Sequence, residues 1–197
     1  PSIEVGCGVT PMKDNFPDIV SSDIEPSPYA DKQIDALSMP YLNESLDSIF
    51  AINCFHHFSD KKLFLKESYR VLSNKGTLIL LEPSVSFLAR LTYPFLFKSE
   101  TYDLNASLSS LYTSDPMIGA NQAASFICFI KSKEEFLLKS GFHLEKIEHC
   151  KNSLAYIFSG GLNFPQLLPS RIVRLLIKLP LPYSLFSLHW IIKLRKS

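Results

Sequence analysis

Apolar residues along this chain fall into short continuous runs separated by stretches with helical spacing. Ser2–Gly6, Ile19–Ser22, Ser48–Asn53 and Thr77–Glu82 are near-continuously apolar. Such runs suit strands covered on both faces. Between the last two, Leu65, Tyr69 and Leu72 recur at i, i+4 and i+7. That spacing predicts a helix over Ser59–Leu72, stopped by Asn74-Lys75-Gly76. Strands alternating with helices predict an α/β fold with a parallel sheet.

Further on, Ser132-Lys133-Glu134-Glu135 has the form of a capping box, and Gly141 that of a left-handed helix end. Phe142–His149 and Ser153–Phe158 then predict two strands. A Lys151-Asn152 turn would make them an antiparallel hairpin. Residues 84–131 break the alternation. They follow the fifth strand and are rich in rings: Phe87, Tyr93, Phe95, Phe97, Tyr102 and Tyr112. A long segment at the carboxyl edge of such a sheet predicts a substrate-binding lid. An insertion that merely covers sheet edge is the alternative.

Composition narrows this little. The chain has 197 residues, enough for one well-filled domain, and its formal net charge is +1. Cys7, Cys54, Cys128 and Cys150 are scattered, with no C-x-x-C pair. That is neither a disulfide framework nor a zinc signature, so reduced thiols in the cytoplasm are expected and no metal is assigned. There is no signal peptide or initiator methionine, and the chain opens inside its first strand. An upstream segment is therefore expected.

The charge is unevenly placed. From Leu162 to Ser197 stand Arg171, Arg174, Lys178, Lys193, Arg195 and Lys196, with no acidic residue. Arg171, Arg174 and Lys178 share one helical face; Ile172, Leu175, Leu176 and Leu179 lie on another. A basic amphipathic helix predicts binding at a membrane surface, and Trp190 would settle at the interface. Lys178, Pro180 and Pro182 interrupt any run of the roughly 20 apolar residues needed to cross a bilayer. Packing on the domain, or a homodimer contact, is the alternative left open. Nucleic acid is not expected, because the tail is too apolar and no other basic stripe exists. The expected division is a domain over 1–160 and a basic apolar tail over 161–197.

Four segments carry a resemblance. They are Ile3-Glu4-Val5-Gly6-Cys7-Gly8; Ser22-Asp23-Ile24; Asp35-Ala36-Leu37-Ser38-Met39-Pro40-Tyr41 with Ser45–Ile49; and Asn53-Cys54-Phe55-His56-His57-Phe58 with Arg70-Val71-Leu72 and Lys75-Gly76-Thr77-Leu78. In that order they resemble the class I S-adenosylmethionine (SAM) dependent methyltransferases of the type 11 group. The resemblance implies a Rossmann-like parallel sheet ending in an antiparallel hairpin, with helices on both faces. It implies SAM as cofactor. Glu4, Gly6 and Gly8 of the glycine-rich motif would bind the cofactor, with the glycines under its methionine part. Asp23 would hold the ribose hydroxyls, with Glu25 the weaker candidate. Asp35 and Ala36 would sit at the adenine, and Asn53 near the transferred methyl. His56 is the candidate catalytic base. Adjacent side chains on an extended segment point apart, so His56 and His57 are not expected to share a metal. Cys7 reads as a packing residue.

Thr10 and Pro11 stand where a third glycine would, and the span from Gly8 to Asp23 is short. A short or irregular first helix is expected. The activity implied is methyl transfer to a small-molecule or lipid- or glycan-linked acceptor, at the inner face of a membrane if the tail binds one. Two rivals remain: a nucleotide-dependent oxidoreductase on a related fold, and a non-catalytic membrane-surface module. A dinucleotide fingerprint would put its last glycine at Pro11.

Overall fold

The computed structural model describes residues 1–112, 120–151, 153–160, 165–179 and 182–197. Asn152 of the expected turn, residues 113–119 of the expected lid, the start of the expected tail at 161–164, and Pro180 lie outside the described residues.

Seven strands form one sheet: β1 (Ser2–Val5), β2 (Ile19–Asp23), β3 (Lys32–Gln33), β4 (Leu46–Ile52), β5 (Leu72–Pro83), β6 (Phe142–His149) and β7 (His189–Lys196). Their order is β3-β2-β1-β4-β5-β7-β6. β1 to β5 pair in parallel, and β7 runs antiparallel between β5 and β6. Ile3, Val5, Ile49, Ala51, Leu78 and Leu80 are fully buried at its centre. Two-residue β3 and charge-rich β6 are the edges, and short or charged edges resist pairing with another chain.

The first helix, α1 (Lys61–Val71), lies within the expected range. Asp60 caps it by accepting from Leu63 N at 2.9 Å. Phe64, Leu65, Ser68 and Val71 face the core.

The hairpin expectation was wrong in its second strand. Ser153–Phe158 is a helix, α5, and the antiparallel partner of β6 is β7. Trp190, Ile192, Leu194 and Lys196 point one way and are buried; Ile191, Lys193 and Arg195 alternate with them. A strict period of two over eight residues is a strand signal, and β7 takes the slot between β5 and β6. Residues 189–196, assigned to a tail, therefore complete the sheet. Their basic groups serve it. Arg195 Nε and Lys193 Nζ bond to Glu145 at 2.6 and 3.0 Å. Lys196 Nζ donates to the Leu72 carbonyl at 2.6 Å, pairs with Glu44 at 3.2 Å, and lies 4.4 Å from the centre of the Tyr69 ring. Trp190 is not an interfacial ring: it is buried and its Nε1 donates to Ser125 Oγ at 3.0 Å.

The segment after β5 folds onto the domain. α2 (Phe87–Leu96), capped by Ser86, buries Ala89 and Tyr93 against Leu188. Tyr93 donates to the Leu188 carbonyl at 2.7 Å and Tyr102 to the Ser84 carbonyl at 2.9 Å. These rings, expected on a lid, hold the segment down. Next come α3 (Ala124–Phe126), a π-helical turn (Ile127–Lys131) and α4 (Lys133–Leu137), placing Phe129 and Phe136 against Phe55.

Ser132 does not form a capping box. The π turn runs into it, its φ and ψ are −122° and 30°, and its hydroxyl makes no cap bond. The helix also ends before Gly141, so that glycine is not its cap.

Two short helices remain, α6 (Ser170–Leu176) and α7 (Tyr183–Phe186); α7 packs on α2 and α6 on α5. No helix among the described residues is long and apolar enough to cross a membrane.

Candidate cofactor and acceptor site

The strand order reverses between β1 and β4, and open α/β sheets bind ligands outside the carboxyl ends of strands at such a point. Gly6, Asp23 and Asn53 each follow or end a strand there. Gly6 (φ +67°) lets the β1 loop lie against the β4 loop, since a Cβ would come within 2.9 Å of Cys54. Gly8 (φ +55°) faces open space: a Cβ there would meet nothing within 4 Å. Asp23 spans the gap. Its Oδ2 accepts from Gly8 N at 2.9 Å and its Oδ1 from Glu25 N at 3.2 Å.

Glu4 has a different task from the one its motif implied. It is 1% exposed, and one oxygen accepts from Met12 N at 2.7 Å and from Ser21 Oγ at 2.6 Å. It ties the glycine loop to β2 and positions the site without facing it. Asp35 is exposed, with Oδ1 accepting from Leu37 N at 2.8 Å, and Ala36 is buried beside it. Sequence reasoning missed what holds this loop. Arg70 donates to the carbonyls of Met39 and Tyr41 at 2.9 and 2.8 Å, and Glu67 Oε1 accepts from Met39 N at 2.8 Å. Arg70 and Glu67 sit one turn apart on α1, so the helix fixes the loop.

His56 cannot act as the base. It is 4% exposed, with Nδ1 2.6 Å from Glu82 and Nε2 3.5 Å from Glu100. Burial alone would lower its pKa, but Glu82 and Glu100 outweigh it and push the value up to about 9. Near neutrality both ring nitrogens hold protons, and none can be taken up. Cys7 is no nucleophile either, because burial with Glu4 and Asp23 pushes its thiol up to about 11.

Asn53, itself at φ +50°, forms one wall of a cleft of about 490 Å³. Leu81, Ala155, Tyr156, Val173, Ile177 and His189 line much of the rest. His189 was not singled out in the sequence, because its role depends on β7. Burial holds its pKa down to about 4, so the ring is neutral, and its Nε2 lies 3.2 Å from Tyr93 OH. That hydroxyl already donates to Leu188, so Nε2 is the donor of the pair.

Residues 3–80 match a family model described as a methyltransferase domain. Over those residues, about two fifths of the chain, the sequence is similar to the SAM-dependent methyltransferases. Ajmaline N-methyltransferase of Rauvolfia serpentina is 40% identical over 47 residues, which is 24% of this chain and 16% of that protein. Demethylmenaquinone methyltransferase of Thermotoga maritima is 29% identical over 133 residues, 65% of this chain and 56% of that one. The chain thus spans about half or less of the length of these curated relatives. Among solved structures, a SAM-dependent methyltransferase of Thermotoga maritima, described as a possible histamine N-methyltransferase, aligns with a TM-score of 0.56 at 16% identity. That alignment covers 100% of this chain and 82% of that one. At that identity the likeness concerns the fold.

SAM is the family's cofactor, and the residues present fit it. The open space over Gly8 admits a ligand against bare backbone. Asp23 and Asp35 keep acceptor capacity for ribose hydroxyls and an adenine amino group, because a carboxylate has about four lone-pair sites. The dinucleotide alternative fits poorly. Pro11 is buried, and the β1–β2 connection holds only a 3₁₀ turn, Met12–Asp14, where pyrophosphate would need a helix N-terminus.

Proposed function

We propose that this domain transfers the methyl group of SAM to an apolar or lipid-linked acceptor reached from a membrane surface. The observation that carries the reading is the cleft beside Asn53. Val173 and Ile177 of the α6 segment line it, while Ile172, Leu175 and Leu179 of the same segment stand exposed. The Thermotoga relative is named for demethylmenaquinone, and an apolar acceptor of that kind suits this lining.

Bound SAM supplies a methyl on a positively charged sulfur. The chain's part is to align and to exclude water. Asp23 and Asp35 would orient the nucleoside, Asn53 would mark the boundary between cofactor and acceptor, and apolar walls would desolvate the acceptor. Orientation of this kind can contribute about 7–11 kcal/mol, so no catalytic base is required of the site. With its Nε2 proton given to Tyr93, neutral His189 keeps the Nδ1 lone pair, which could accept a hydrogen bond from an acceptor hydroxyl.

Calorimetry with SAM tests the cofactor half. Asp23→Ala should weaken binding by roughly 1.5–3 kcal/mol, the range for hydrogen bonds to a charged group. Affinity unchanged in both Asp23→Ala and Asp35→Ala would reject these assignments.

The membrane half rests on α2 together with the α6 segment. Phe87, Leu91 and Phe95 are exposed on α2, and Arg90 lies among them. Residues 83–99 and 162–197 contain no acidic residue. Arg171, Arg174 and Lys178 are exposed and, among the described residues, take no part in the sheet's ion pairs, so they would supply attraction to anionic lipid. Truncating the tail would remove β7, so charge removal is the better test. Arg171→Gln with Arg174→Gln should reduce co-sedimentation with anionic vesicles on the order of 10–30-fold, at about 1 kcal/mol per charge. Rising salt should erase the difference. Equal binding of both proteins, or indifference to lipid charge, would overturn the membrane reading.

A further inference from the structure

His56, His57 and Glu100 lie together outside the cofactor cleft. The two histidines do not diverge as neighbours on a strand would, because Phe55–His57 is a 3₁₀ turn. Their ring centres are 4.2 Å apart. Glu100, from the segment after β5, reaches both: Oε2 is 3.5 Å from His56 Nε2 and Oε1 is 3.8 Å from His57 Nε2. One ligand atom from each residue can be chosen so that all three lie within 4.8 Å of one another.

We infer that His56, His57 and Glu100 form a site for a divalent transition metal of the zinc type. Two ligands bound at about 2.0–2.1 Å to a tetrahedral ion stand about 3.3 Å apart. The two His–Glu100 separations, 3.5 and 3.8 Å, are within about 0.5 Å of that value, and the three ligand atoms all lie within 4.8 Å of one another, a spread that side-chain rotation would close around an ion. Two imidazoles and a carboxylate are a usual three-ligand set for zinc, leaving a fourth position for water. Magnesium and calcium, which prefer oxygen, are poorly served.

The surroundings are those of a metal site. Glu82 is fully buried and holds His56 Nδ1 at 2.6 Å, which fixes the ring so that a metal ion displacing the Nε2 proton would bind there. A second oxygen of Glu82 accepts from Phe55 N at 2.9 Å, fixing the turn. Gln122 donates to Glu100 Oε2 at 2.9 Å. The other end of that buried amide, Oε1, has no partner among the described residues. It is an acceptor beside the carboxylate that metal-bound water could satisfy. Two carboxylates, Glu82 at 2.6 Å and Glu100 at 3.5 Å from the His56 ring nitrogens, gather negative charge in the pocket and favour a cation there. The ion would join the end of β4 to the segment after β5, beside the ring contacts that Phe55 makes with Phe129 and Phe136.

Zinc titration of the intact chain by calorimetry, with cobalt(II) spectra, tests the site. One zinc per chain should bind, raise the melting temperature, and leave again with EDTA. His57→Ala and Glu100→Gln should each weaken zinc binding on the order of 10–100-fold or more, since even outer ligands matter that much. Both changes fall on partly exposed side chains, and melting in EDTA checks that the variants fold. Cobalt should give a visible tetrahedral band without near-ultraviolet thiolate charge transfer. The inference is overturned if the wild-type chain binds no zinc, if folded variants bind like wild type, or if a thiolate band shows that cysteines hold the cobalt. The cobalt spectrum uses the wild-type chain alone, so it decides even if a variant fails to fold.

Discussion

Trp190→Ala should destabilise the protein by roughly 3–5 kcal/mol, as expected for emptying a buried Trp site. That is a large share of the roughly 5–15 kcal/mol that holds a typical domain folded. Trp190 sits in β7 with Glu82 of β5 on one side and His149 of β6 on the other. It is 2% exposed, and its indole N–H bonds Ser125, whose hydroxyl donates in turn to the Pro83 carbonyl. Removing the ring opens a cavity and unties α3 from the sheet. Urea unfolding measures the effect. Ile191→Ala, on the opposite and partly open face, should cost far less. The same variant separates two roles for the segment. A membrane ring would leave the melting unchanged and weaken vesicle binding; a sheet residue does the reverse. A cost below about 1 kcal/mol would contradict the central place of β7, since surface changes usually fall within about 0.5 kcal/mol.

This residue also shows where the sequence stops being legible. β1, β2, β4, β5 and α1 were readable because each is a local pattern: an apolar run, or a 3.6-residue period with a stop. β6 was readable for the same reason. Its partner was not, because pairing is a property of the whole sheet. Ser153–Phe158 fits a strand by composition, yet Leu154 and Ala155 are equally compatible with the helix it forms. The alternation over 189–196 was visible but was read as a basic tail, since Lys193, Arg195 and Lys196 outweighed it. Only the position of Glu145 and Glu44 across the sheet explains those charges.

The site divides similarly. Gly6, Gly8, Asp23, Asp35 and Asn53 are brought to one edge of the sheet, since they lie at or just beyond strand ends whose order the motif already implies. Glu4 belongs to the same motif, yet strand alternation turns it inward, where only Ser21 and the loop backbone can use it. His56 was read as a base because histidine titrates near neutrality. Its surroundings, Glu82 26 residues on in β5 and Glu100 beyond it, could not be seen from the local sequence. A capping box at Ser132 failed because the π turn upstream runs into the serine, whose N–H bonds back to the Ile127 carbonyl and whose hydroxyl makes no cap bond.

Gly141→Ala should be as damaging as the loss of Trp190, for a reason confined to backbone and one ring. Gly141 has φ +77°, where an L-residue pays roughly 1–2 kcal/mol. A Cβ there would also lie 2.1 Å from Tyr69 Cε2 and 2.6 Å from Cδ2. Tyr69 has little freedom to retreat. Phe142 meets it edge-on at 5.8 Å, and Lys196 Nζ stands 4.4 Å from its ring centre. Overpacking of this kind adds about 1–3 kcal/mol, so the sum is roughly 2–5 kcal/mol. The change also moves the start of β6 and the Gly141 carbonyl, which accepts from Ser197 N at 2.9 Å. Denaturant unfolding of Gly141→Ala, Tyr69→Ala and the double variant separates the two costs. Removing the ring should recover the steric share, making the double variant more stable than the two single losses added together. The backbone share should persist. Additive losses would mean that the ring and the glycine do not compete for space, and a Gly141→Ala protein within about 0.5 kcal/mol of wild type would refute both costs.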